Sequence, residues 1–161
     1  MSGRVSVVQR DYIERMIVQF AQAMGEIIAA VRAGDFDFAL IMVHRTRELV
    51  LGNLGPVFER LDAASVVEFV GKYDLDRVRM YAAVLAEEGT IRELRGQTER
   101  AQYCFSRTLE LYAAISLSGA RLKTADWERI VSLQPKVAAG AIDSRYHDEL
   151  LRLASQNAPS V

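Results

Sequence analysis

Asp35 and Asp37 alternate with Phe36 and Phe38, and carboxylates at that spacing could begin a cation site. A calcium loop needs further oxygen ligands and an internal glycine, and Phe36, Phe38 and Ala39 supply neither. The pair reads instead as a helix start. Asp35 caps, Asp37 sits in the first turn where the helix dipole favours a negative charge, and Phe36 and Phe38 pack inward. His44 has Glu48 one turn on, and His147 has Asp143 one turn back. Neither has a second histidine or a cysteine at a ligand spacing, so both read as surface contacts, with no metal and no cofactor expected. Cys104 is the one thiol, in Gln102-Tyr103-Cys104-Phe105. A nucleophile needs a base or a helix N-terminus to lower its pKa. Cys104 lies nearly two turns beyond Thr98, the expected helix start, so it reads as a buried structural cysteine.

Glycine-rich phosphate loops, nucleophile elbows and HExxH patterns are absent from the sequence. Arg92, Arg95, Arg100 and Arg107 lie near Glu87, Glu88, Glu93 and Glu99, which reads as a mixed, solvated face. The charge balance points the same way. Twenty basic residues against twenty-one acidic ones leave no electrostatic case for nucleic acid or a polybasic membrane anchor. The longest apolar runs, Ile27 to Val31 and Phe38 to Val43, are far shorter than the ~20 residues a bilayer span needs. Met1 to Gln9 lacks the features of a signal peptide, and the single cysteine excludes an internal disulfide framework. A reducing cytoplasm is therefore the expected compartment.

The elements that must hold these residues are helices, because apolar residues recur at three- and four-residue steps and β-branched alternation is scarce. The expectation is one all-α domain over 1–161, divided into a first hairpin (6–52), short intervening helices (53–73), a second hairpin (74–118) and C-terminal helices (124–156). Ser6 and Gln9 form a capping box for the first helix, and Gly34 stops it. Its apolar stripe, from Ile13 through Phe20 and Met24 to Val31, spans roughly 160°, more than the ~100° one contact face needs. Asp62 and Asp74 are expected to cap the next helices, Pro135 to break the one that starts at Thr124, and Asp143 or Ser144 to cap the last. The residues from Asn157 to Val161 read as a frayed tail.

Aligned at Gly34 and Gly96, the two hairpins match. Ala39 and Ala101 follow at one step, Val43 and Phe105 one turn later, then Arg45-Thr46 and Arg107-Thr108, then Glu48-Leu49 and Glu110-Leu111. Glycine permits the turn, alanine permits close approach of two helix backbones, and the larger apolar residue fills the gap beyond. Gly89, Gly96, Ala101 and Phe105 also fall on the small, turn, small and aromatic positions of the tetratricopeptide repeat, which this chain resembles. Glu26 and Glu88 stand where that motif has leucine. The order of elements is similar to that of an uncharacterised bacterial family of small tetratricopeptide-like proteins, which implies a fold and no activity.

The resemblance implies a tetratricopeptide-like array of helical hairpins and a groove. Its candidate binding residues are Met24, Ile28, Val31 and Arg32 in the first hairpin and Thr90 and Glu93 in the second. So apolar a lining calls for a cover. The C-terminal stripe of Tyr146, Leu150 and Leu153 is the expected one, with a second subunit or a partner helix as the alternative. The functional expectation is a non-enzymatic interaction or scaffold module that self-associates as a homodimer. The alternative is a helical bundle that shelters an apolar small molecule between Met24 and Val31. An enzyme would need a cleft with converging titratable groups.

Overall fold

The computed structural model describes residues 7–157, and among these there are helices and no strands. The elements are α1 (Val7–Arg32), α2 (Phe36–Leu51), α3 (Gly55–Arg60), α4 (Ala63–Val70), α5 (Leu75–Leu94), α6 (Thr98–Leu117), α7 (Thr124–Leu133) and α8 (Ser144–Asn157). Short 3-10 turns at Gly52–Leu54 and Gln134–Lys136 follow α2 and α7. The Ser6–Gln9 box rests on a residue outside the described ones, as does the tail beyond Asn157.

The two hairpin turns are built identically. Gly34 and Gly96 take φ values of 76° and 77°, a region where a side chain would clash with its own backbone. Asp35 N donates to Ala30 O at 2.9 Å and Gln97 N to Arg92 O at 2.8 Å, so each turn recaptures a carbonyl that the ending helix leaves free. Asp35 caps α2 as expected, its Oδ1 accepting from Phe38 N. Phe36 packs partly inward, but Phe38 is 44% exposed. Two positions on a helix differ by about 200°, so both rings cannot face one core. Asp62 and Asp74 flank α4 and α5 without a side-chain capping bond. Asp62 instead accepts from the Tyr146 hydroxyl at 2.6 Å, and Asp74 from Arg77 Nε at 2.7 Å. Asp143 does cap α8, its Oδ1 accepting from Arg145 N at 2.9 Å.

Two core clusters result. The smaller joins α1, α2 and α5 through Met24, Ile27, Ala30, Ala39, Val43, Val84 and Ile91. The larger surrounds α6, whose Phe105, Leu109, Leu111, Tyr112 and Ile115 meet α4, α5, α7 and α8. Ala39 and Ala101 are both buried, as small residues at a close helix crossing should be.

One close approach is at Gly89. A Cβ placed there would lie 2.5 Å from Phe105 Cε1, 2.7 Å from Phe105 Cδ1 and 3.1 Å from Cys104 Cβ. Phe105 is fully buried and has nowhere to retreat. Gly89→Ala gains ~1 kcal/mol of helix propensity. Overpacking outweighs it, and we expect a net loss of ~1–3 kcal/mol in urea denaturation. A more stable variant would show that α5 and α6 are not seated this closely.

Candidate functional site

The six residues expected to line a groove are distributed differently. Ile28 is half-buried on α1, while Met24 is buried and Val31 half-buried at the junction of α1 with α2 and α5. Their cover comes from α2 and α5, through Val43, Val84 and Ile91, and not from the C-terminal stripe. Tyr146, Leu150 and Leu153 lie on α6, with the Tyr146 hydroxyl accepting from Ala64 N of α4 at 2.9 Å. The reason is geometric: α2 returns along α1 directly, while α8 packs on α6. Arg32 is exposed in the last turn of α1. The Thr90 hydroxyl donates back to Ala86 O at 3.1 Å, and Glu93 accepts from Lys136 Nζ at 2.7 Å.

Of the charged residues read as a solvated face on α5 and α6, Glu93, Arg95, Glu99 and Arg100 are exposed, but two are buried. Glu88 is 2% exposed, and Arg107 is also buried. Glu88 Oε1 accepts from Arg47 Nη2 of α2. Its Oε2 accepts from Arg92 Nε at 3.3 Å, one turn along α5, and from Arg100 Nε at 3.4 Å across the turn on α6. Arg92 Nη1 also donates to Gln97 Oε1 at 2.9 Å, and the Arg100 guanidinium sits 5.7 Å from the centre of the Tyr103 ring. Arg107 Nη2 donates to Phe58 O at 2.7 Å and Leu61 O at 2.6 Å, which ties α6 to the end of α3. The Nε atoms of Arg47 and Arg107 are buried without a partner. Glu88 lies two turns beyond Tyr81 on the side of α5 flanked by α2 and α6. The arginine at i+4, Arg92, was the available signal.

Cys104 sits inside this arrangement, fully buried. Burial, and then the Glu88 charge, push its thiol up to about 12, against the pull of Arg100, Arg47 and Arg92. It is therefore a protonated core residue at neutral pH, without nucleophilic character. His44 Nε2 meets Glu48 Oε1 at 3.1 Å on the surface. His147 borders a cavity of about 330 Å³ between α6, the second 3-10 turn and α8, lined by Leu109, Val137, Ile142 and Leu150. His147 is its one ionisable side chain, so the cavity gathers no acid–base pair. Among the described residues no three histidine, cysteine or carboxylate side chains are placed to hold a metal ion, and no helix is long and apolar enough to cross a membrane.

The remaining feature is the first part of α1. With 26 residues against the 16 of α2, α1 runs ten residues beyond its hairpin partner. The end of α2 reaches Met16, which is buried with Val50 and Leu51. Before Met16 every residue from Val7 is exposed except the half-buried Ile13. Val7, Val8 and Tyr12 are 72%, 77% and 53% exposed, and Val18 on the following turn is 68% exposed. No protein-family model, curated protein or solved structure matches the chain.

Proposed function

We propose that this chain is a non-enzymatic interaction module, a tetratricopeptide-like array of the hairpins α1–α2 and α5–α6 with the C-terminal helices α7 and α8 added, that self-associates through the first half of α1. The array reading is supported by the identical glycine turns at Gly34 and Gly96 and by the packing of α5 against both helices of the first hairpin.

The observation that carries self-association is the overhang of α1. The segment from Val7 to Arg15 carries Val7, Val8 and Tyr12 in the open, an apolar patch that a second copy would bury. Arg10, Asp11, Glu14 and Arg15 interleave both signs on the same exposed segment. A two-fold dimer would set this segment of one copy against the same segment of the other. Light scattering coupled to gel filtration at micromolar concentration is expected to give twice 18.0 kDa. Val8→Glu with Tyr12→Glu, both at exposed positions, is expected to return the protein to monomer with its helical circular dichroism intact. A wild-type monomer at these concentrations removes the reading.

A further inference from the structure

The arginine cluster around Glu88 has more charge and more hydrogen-bond donors than its protein partners answer. Three guanidinium groups, from Arg47, Arg92 and Arg100, converge on one carboxylate, so the cluster holds a net charge of about +2. Among the described residues no second carboxylate pairs with any of them. Both oxygens of Glu88 are already engaged, and Gln97 is the one further side-chain acceptor. Each guanidinium is a planar fork of donors, and a single shared carboxylate leaves most of those forks open.

One open donor, the Arg47 Nε, is buried without a partner, and the three side chains differ in exposure. The Arg47 and Arg92 side chains are 20% and 26% exposed, and that of Arg100 is 54% exposed. Glu88, at 2%, sits beneath them as an anchor. Arg92 is steadied by Gln97 and Arg100 by the face of Tyr103, so neither is a freely swinging surface arginine. Fixed guanidinium groups of net charge +2 over a buried anchor suit a tetrahedral dianion with several oxygens better than a monovalent ion.

We propose that Arg47, Arg92 and Arg100, seated on Glu88, form a binding site for a phosphate group. The site stands apart from the overhanging α1 segment and does not depend on self-association. Two sources share this chemistry, free phosphate and a phosphate monoester. The probes are inorganic phosphate and O-phosphoserine, titrated calorimetrically up to about 10 mM into the full chain at constant ionic strength, with sodium chloride as the blank. Saturable heat with the wild type is expected, together with a loss of affinity of about tenfold or more in Arg100→Gln, which removes a charged donor at an exposed position. Arg92→Gln should behave alike. Arg45→Gln, at an exposed position outside the cluster, should bind as the wild type does. Equal affinity for the two probes assigns the site to free phosphate, and tighter phosphoserine binding assigns it to a monoester. No saturable heat with either probe, or unchanged binding in a folded Arg100→Gln and Arg92→Gln pair, overturns the proposal.

Discussion

A chain truncated before Asp143 is expected to melt ~10 °C or more below the full chain and to bind a hydrophobic dye strongly. The truncation removes Tyr146, Leu150 and Leu153 from α6, and each buried side chain of this size contributes ~1.5–3 kcal/mol. Their sum is comparable with the whole stability of an ordinary domain, and a domain of this length shifts by ~2–4 °C per kcal/mol. Polar losses add to it. Glu149, itself nearly buried, accepts from the Ser116 hydroxyl at 2.5 Å and from the Arg152 guanidinium, which holds its carboxyl below the usual range. The dye should report the uncovered side of α6 and leave Met24 and Ile27 shielded, because α2 and α5 cover them. Thermal melting by circular dichroism and dye fluorescence measure both effects. An unchanged melting temperature would mean that α8 is not seated on α6.

Glu88→Ala is expected to cost ~3–5 kcal/mol, the scale for breaking a buried ion pair by removing one partner. The loss removes the carboxylate, 2% exposed, on which Arg47, Arg92 and Arg100 converge, and leaves the three guanidinium groups facing one another. The variant should therefore regain stability as ionic strength rises, since the repulsion it introduces is screened. Glu88→Leu combined with Arg47→Leu should recover much of the loss, because apolar replacement of both partners is often close to neutral. Chemical denaturation of the two variants separates the explanations. If the double variant is as unstable as Glu88→Ala, packing volume at the site outweighs charge.

Local elements were legible because their signals are local. Gly34 and Gly96 mark turns through a backbone angle that only glycine adopts readily, and Asp35 marks a helix start through a bond to a residue three positions on. Pro135 ends α7 because it cannot supply the amide the next turn needs, and a 3-10 turn takes its place. Asp62 failed as a cap for a non-local reason. Tyr146 and Arg145, far along the chain, compete for its carboxylate.

The sequence by itself determined most helix ends from Gly34 onward, and that Ala39 and Ala101 are buried where helices meet. Apolar periodicity names the face that must leave water and says nothing of the surface that receives it, because hydrophobic burial has no direction of its own. Tertiary structure alone decided that α2 and α5 cover Met24 while α8 goes to α6, since both covers satisfy the same pattern. It also decided that Glu88 is an anchor and not a solvated carboxylate. Its burial depends on Arg47 and Arg100 arriving from two other helices, and no spacing along one helix encodes that arrival. The exposure of Val7, Val8 and Tyr12 was settled in the same way, by the difference in length between α1 and the helix that returns along it.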